Sequence, residues 1–380
     1  MSVNQRRLSF FQAVCLFLVA GATPVSTFAE ISAESSVGDF VLKPGHSSLQ
    51  SFQLPDPPEP EDNLTSPARV ELGKQLFFDP RLSGDGNMSC ASCHNPLFGW
   101  SDGLPTGRGF QSQILGRATP TIVNTAYNSI QMWDGRKKSL EDQAMGPLEA
   151  DVEMNLDPAM MVAWLKTNDS YVNAFAEAYP GEVLSAELVS KAIAAFERTI
   201  VSRNSAFDRW VAGDAGALSS AQVRGFEIFL DPEQGNCAAC HMGANFTDNG
   251  FHNLGLASHG AADPDPGRYA QVALGIMKGA FKTPTLRDVS LTAPYFHDGS
   301  ARTLMEVVEH YQTGGVVRTH LSPNMKTLSL SQQDKEDLVA FMQALTTPPQ
   351  AFVLPTLPVP EQPVAWAAWQ PESANELAAK

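Results

Sequence analysis

The sequence is poor in positive charge, in cysteine and in long apolar runs, and each shortage excludes something. Its 380 residues carry 26 Lys and Arg against 41 Asp and Glu, a net charge of −15. A chain this acidic does not bind nucleic acid by neutralising phosphates. Its charge suits a basic partner, or simple solubility. The one sustained apolar run, Phe10 to Ala22, is too short to span a bilayer as a mature helix. No run of alternating apolar and polar residues reads as a strand, which leaves a mainly α fold. With 43% hydrophobic and 18% charged residues the composition is globular, and the length suits two domains.

Residues 1–29 open on Arg6 and Arg7, continue into that apolar run and close on Thr27-Phe28-Ala29, a small-x-small pattern. A cleaved secretory signal is the expectation, with an uncleaved anchor as the alternative. Cleavage removes Arg6, Arg7 and Cys15 and no acid, taking the mature charge to −17. The expected location is the periplasm, with no membrane span left after cleavage. Of five cysteines, Cys90, Cys93, Cys237 and Cys240 remain. In an oxidising compartment four thiols can form two disulfides, but their spacing argues for something else. Cys90-Ala-Ser-Cys93-His94 and Cys237-Ala-Ala-Cys240-His241 are both C-x-x-C-H, the attachment signature of haem c. The two thiols bond to the porphyrin vinyl groups and the adjacent His ligates the iron. Two covalent haems are therefore expected, with His94 and His241 as proximal ligands.

The flanking sequence repeats as well. Gly73-Lys-Gln-Leu76-Phe77-Phe78-Asp79-Pro80 precedes the first attachment stretch, and Gly225-Phe-Glu-Ile228-Phe229-Leu230-Asp231-Pro232 precedes the second. Such a repeat predicts two copies of one small helical unit, each wrapping a haem: two cytochrome c-like helical domains. Two unrelated helices that both end in Asp-Pro are the alternative. Residues 30–65, rich in Pro and acid, read as an extended leader with little core of its own. The N-terminal haem domain is expected over 66–213, opening on Ser66 as N-cap with Pro67 at the first helical position. Further helices are predicted at 139–146, 157–166, 169–179 and 185–210, the last ended by Gly213-Asp-Ala-Gly216. The C-terminal haem domain is expected over 214–346. Its helices begin after Ser219 or Ser220, at about 302–312, and at 331–345 with Ser331 as cap. The Pro-rich tail, 347–380 with Trp366 and Trp369, either packs over the body or does not; composition leaves this open.

The second axial position of each iron decides what a haem does: a strong protein ligand favours electron transfer, an open position favours reaction with a small molecule. No histidine lies between His94 and His241, so the first domain has no distal imidazole of its own. Its methionines read mainly as core filler. The second domain offers His252, His259, His297, His310, Tyr311, Met277 and Met305, and periodicity does not choose among them.

Over roughly residues 64–346 the chain resembles the bacterial di-haem cytochrome c peroxidase and MauG family. The resemblance rests on both attachment stretches and on Leu76-Phe-Phe-Asp-Pro80, Ala118-Thr-Pro-Thr121, Met132-Trp-Asp-Gly-Arg136, Leu140-Glu-Asp-Gln-Ala144, Gly146-Pro147 and Glu153-Met154. It continues through Lys282-Thr-Pro-Thr-Leu-Arg287 and Ala293-Pro-Tyr-Phe-His-Asp-Gly299. It implies an N-terminal peroxidatic haem, a C-terminal electron-transfer haem and a tryptophan between them at Trp133. The family's distal glutamine and glutamate fall on Gln143 and Glu153. A carboxylate placed there can take a proton from one oxygen of H2O2 and return it to the other. The family's calcium site falls near Thr292 and Pro294, but its asparagine falls on Ala118, which has no side-chain ligand.

Two departures from the family pattern refine the expectation. Typical family peroxidases hold a resting distal His on the peroxidatic haem, and this chain has none there. Typical members place Met as sixth ligand of the other haem, where this chain has Tyr311; MauG-like proteins use Tyr. Tyrosinate is a hard anionic donor that favours ferric and higher iron. His310, adjacent and chemically able, is the alternative ligand. The resemblance thus implies a MauG-like oxidase that uses H2O2 to withdraw electrons from a protein substrate. In such an enzyme the haems share two oxidising equivalents through Trp133. A peroxidase fed by a small c-type cytochrome or copper protein is the second reading. A di-haem cytochrome that only transfers electrons is the third, and the missing distal His speaks against it.

Overall fold

The computed structural model describes residues 35–359; the expected signal and the Trp366–Trp369 part of the tail lie outside the described residues. Two short strands, β1 (Ser36–Val37) and β2 (Phe40–Val41), form a hairpin around Gly38. Helix α1 (Pro67–Phe78) starts where Ser66 Oγ accepts the Arg69 N–H at 3.3 Å, and stops at Asp79 before Pro80. Then come α2 (Cys90–Cys93), α3 (Leu140–Glu149), α4 (Pro158–Leu165), α5 (Asp169–Ala178), α6 (Ala186–Glu197) and α7 (Ala206–Val211). The second half has α8 (Ser220–Leu230), a strand pair β3 (Phe251–His252) and β4 (Phe281–Lys282), then α9 (Leu304–Thr313) and α10 (Gln332–Ala344). Ser219, Thr303 and Ser331 cap the last three helices. Among the described residues the strand pairs are two residues long, so the fold is mainly α as expected.

Two apolar cores form. The first gathers Leu72, Leu76 and Phe77 of α1, Leu165 of α4, Phe175 of α5, and Val189, Ile193 and Phe196 of α6. The second gathers Phe226 and Phe229 of α8, Val308 of α9, Leu338 and Phe341 of α10, and Phe207 and Trp210 of α7. Each is built on one helix crossing, and a glycine makes each crossing possible. A Cβ on Gly73 would lie 1.8 Å from the Ala192 carbonyl oxygen, and one on Gly225 would lie 1.9 Å from that of Asp337. These are the glycines that open the two repeated segments; the close approach explains why the repeat begins there.

Two expectations need correction, and a third point that composition left open is decided for the described residues. The leader contributes to a core: Leu49 and Phe52 are fully buried in the second one. The Phe52 ring lies 5.3 Å from Phe226 and 5.5 Å from Phe246, and its carbonyl accepts from the buried Arg287. The helix expected over 185–210 is two helices. Thr199, Ile200 and Val201 are β-branched in succession, Thr199 Oγ1 bonds back to the Phe196 carbonyl, and Asn204 turns left-handed at φ 62°. Ser205 and Asp208 then cap a new start. As a result Phe207 and Trp210 support the second core, and core membership changes between Ile200 and Phe207 rather than at Gly213. Finally, the described part of the tail packs. Phe352 stacks on Phe78 at 5.4 Å and meets Trp100 edge-on at 5.1 Å, Lys74 lies over its ring, and Arg81 donates to the Pro358 carbonyl.

The two halves interlock through a longer repeat than the haem-binding segments alone. Residues 118–147 and 282–311 run in step without a gap. Asn124 and Asp288 are both left-handed; Met132 and Phe296 both have positive φ; the bridge Gln131–Lys137 matches Tyr295–Ala301. Matching residues also cross over: the Ala118 N–H donates to the His297 carbonyl at 2.7 Å, and the Lys282 N–H to the Trp133 carbonyl at 2.8 Å.

Candidate haem cavities

Each attachment stretch forms a short turn that lays its histidine against a cavity. Ser89 and Ser92 form a capping box around α2, and the Cys90 carbonyl accepts the His94 N–H. His94 Nδ1–H donates to the Trp100 carbonyl at 3.1 Å, and His241 Nδ1–H to that of Phe246 at 3.0 Å. Fixing Nδ1 in this way leaves Nε2 as the free ligand nitrogen. Burial lowers both imidazole pKa values, that of His241 to about 4, which keeps the rings neutral as ligation requires. The four described cysteines are free thiols. Cys90, Cys93 and His94 face a cavity of about 460 Å³, and Cys237, Cys240 and His241 one of about 640 Å³. Unpaired thiols beside a fixed neutral imidazole, at two large and mainly apolar cavities, fit covalent haem c in both.

The smaller cavity brings together the residues expected around a peroxide. Gln143 and Pro147 of α3 line it, as does Glu153 from the loop that follows. Gly109 lets the preceding loop press against that one, since a Cβ there would meet the Val152 carbonyl oxygen at 1.9 Å. Burial raises the Glu153 pKa, and Arg136 opposes the rise. Arg136 is anchored by the buried Asp134, which Arg117 also grips at 2.9 Å; Arg117 in turn reaches Asp265 of the other half.

Trp133 lines both cavities. Its Nε1–H donates to the Ala118 carbonyl at 2.9 Å while its own carbonyl accepts from Lys282, so both ends are held. In the larger cavity Tyr311 of α9 joins His241 in the lining, and burial pushes its hydroxyl pKa up. His310 does not line that cavity; its Nε2–H donates to the Leu254 carbonyl at 2.9 Å. In the long repeat Tyr311 matches Pro147.

Thr292 and Pro294 also line the larger cavity. For calcium they offer backbone carbonyls, while Ala118 adds no side-chain oxygen and its carbonyl is already taken by Trp133. Among the described residues, three His, Cys, Asp or Glu ligand atoms converge only at Cys240, Asp248 and His252. Cys240 is committed to haem, and His252 pairs with Asp248 at 2.9 Å, so that cluster is part of the haem surround.

Sequence reasoning quoted Pro147 and Lys282 only as parts of family stretches, gave neither a role, and passed over Glu197. The gap-free repeat would have singled out Pro147 as the partner of Tyr311. Glu197 and Lys282 are charged residues buried in cavity walls, and nothing local distinguishes them from surface residues.

Residues 67–216 match the family model for di-haem cytochrome c peroxidase, and 222–346 the model for cytochrome c. The methylamine utilization protein MauG of Methylorubrum extorquens is 43% identical, over 81% of this chain and 86% of that protein. A cytochrome-c peroxidase, IdrP1, of Denitromonas iodatirespirans is 39% identical, over 82% and 90%. Among solved structures, a MauG-like protein associated with microbial copper homeostasis superposes with a TM-score of 0.72 at 31% identity, covering 77% of this chain and 93% of that one.

Proposed function

Because the chain belongs to the di-haem cytochrome c peroxidase and MauG family, and so is an oxidoreductase acting on peroxide, we propose that it is a periplasmic MauG-like enzyme. In this reading it spends H2O2 on oxidising a protein substrate. The observation that carries the reading is an asymmetry of the repeat: Tyr311 lines the larger cavity together with His241, and at the matching step the smaller cavity has Pro147. Proline has no side-chain group that can bind iron, so a haem held by His94 would receive no ligand from this position and would be open to peroxide.

When bound, the two haems supply the redox chemistry, and the chain's own residues handle protons, position and electron access. Gln143 holds the peroxide through its amide. Glu153, ionised, would accept the proton of one peroxide oxygen and deliver it to the other, which leaves as water when the O–O bond breaks. Two electrons drawn from the bound haems and two protons from solvent would turn the remaining oxygen into the second water. Trp133, fixed at both ends, lies between the cavities and carries electrons drawn from the second side. Tyr311 would hold the second haem as an anionic ligand, which would suit that haem to storing oxidising equivalents rather than accepting electrons from cytochrome c. Thr292 and Pro294 are the two carbonyl ligands this reading offers calcium, with water completing the shell. Metal analysis before and after chelation tests that assignment, and a calcium-free protein of full activity overturns it.

Optical and EPR spectra of the diferric protein, before and after stoichiometric H2O2, test the main reading. One high-spin and one low-spin haem are expected, both changed for a long period by one equivalent of peroxide. Two low-spin haems that ignore peroxide would sink it. The cytochrome-c peroxidase among the relatives keeps a second reading in view. Rapid turnover with reduced cytochrome c would favour that one.

A further inference from the structure

Glu197 ends α6 in the wall of the smaller cavity. It is 4% exposed, and its Oε2 has no hydrogen-bond partner. Leaving a carboxyl oxygen buried and unpaired is costly, and most native structures avoid it.

The second half shows that the fold does not need an acid here. The two glycine-centred crossings set the register: Gly73 meets Ala192 and Phe196 of α6, and Gly225 meets Asp337 and Phe341 of α10. One residue after each phenylalanine come Glu197 and Met342, and both line their own cavity. Methionine fills the space in the half closed by Tyr311. The half that reading leaves open to peroxide has a carboxyl in the same place.

We propose that Glu197 is a redox-linked proton site for the first haem, neutral when that haem is reduced and ionised when it is oxidised. Glu197 releases one proton to solvent for each electron lost by the haem beside it, and regains the proton when the electron returns. Each exchange thus leaves the net charge of the cavity unchanged. In the reaction proposed above, peroxide is the oxidant that takes the electron. Removing an electron would place positive charge in a mainly apolar cavity, and a carboxylate in its wall would offset it. By linkage the effect is reciprocal: ionising the acid eases oxidation by the same factor that oxidation favours ionisation.

Burial places the carboxyl pKa at about 8, with Arg198 pulling it down and Glu141 of α3 pushing it up. Arg198 and Glu141 are themselves paired. Cys90 of α2, the remaining titratable group close by, is an uncharged thioether once haem is attached. Glu153 is the other acid of this cavity.

The inference rests on the first haem being the peroxide-reactive one, but its test uses no peroxide. The midpoint potential of the first haem is measured by spectroelectrochemistry from about pH 5 to about pH 9, spanning the ordinary and the raised carboxyl values. Wild type and Glu153→Gln should show a potential that falls with pH. The slope should approach a tenfold change in the redox equilibrium per pH unit. Glu197→Gln should flatten it. Equal slopes in wild type and Glu197→Gln overturn the proposal, whereas failure of the peroxidase reading appears in turnover alone. Should Glu197→Gln fail to fold with haem, infrared redox-difference spectra of Glu153→Gln decide the matter. A carboxylic acid band lost on oxidation supports the proposal, and its absence overturns it.

Discussion

Pro147 of α3 and Tyr311 of α9 stand at the same step of one repeat, in helices that begin at the matching caps Ser139 and Thr303. Each lines the cavity of its own half. The same backbone thus presents a phenol in one half and a ring without donors in the other. If the first haem is open as proposed, Pro147→Tyr should give it an oxygen ligand and turn its high-spin signal low-spin. If the new ligand keeps the open form at about 1%, peroxide binding weakens about a hundredfold. Tyr311→Phe should do the reverse at the second haem. EPR of the two variants checks both changes; an unchanged low-spin signal in Tyr311→Phe would exclude that residue as ligand.

Glu153 acts as a base only when ionised. Its burial raises the pKa, so the acid limb of the rate profile should lie above the ordinary glutamate range, with activity lost as pH falls through it. Arg136 opposes the rise, so Arg136→Ala should move the limb to higher pH. Glu153→Gln should cost about 10²- to 10⁴-fold in the peroxide step at all pH values. Stopped-flow rates against pH measure each effect. A profile that Arg136→Ala leaves in place would contradict the coupling.

Much of this was legible in the sequence where the chemistry is local. Ser66, Ser219 and Ser331 cap the helices expected of them, because capping needs only a side-chain oxygen and the next three residues. The attachment stretches are legible for the same reason. Phe52 was not, since its burial depends on Phe226 and Arg287, more than 150 residues away. The break at Thr199–Val201 was hidden by apolar spacing that continues across it: Phe196, Ile200, Phe207 and Trp210 keep a helical period while serving two cores. Glu197 sits among alanines and apolar residues of α6, and only the packed crossing with α1 shows which way it faces.

Among the described residues, Trp133 is the one tryptophan that lines both cavities. Trp133→Phe removes the Nε1–H bond to Ala118, which costs about 1 kcal/mol of stability. It also removes the indole from the path between the halves. Electron withdrawal from the second haem after one equivalent of peroxide should slow more than the reaction of peroxide at the first. Rapid-mixing spectra resolve the two haems. Equal slowing of both steps would place the route elsewhere.

Phe352 links the tail to the wall of the smaller cavity that carries His94. Its ring packs on Phe78 and Trp100, and the Trp100 carbonyl is the group that holds His94 Nδ1. Burying the aromatic pair stabilises this wall, but the ring is still 36% exposed. Phe352→Ala should therefore cost about 1–3 kcal/mol, less than truncating a fully buried phenylalanine. The loss should be local. Trp100 loses its edge-on neighbour, the hold on His94 loosens, and the first haem's spectrum should shift while that of the second, on the far side of Trp133, stays as it was. Thermal unfolding together with EPR of the diferric variant reads both consequences. A lowered melting temperature with an unchanged first-haem signal would make Phe352 a structural strap alone, and equal shifts at both haems would contradict a local effect.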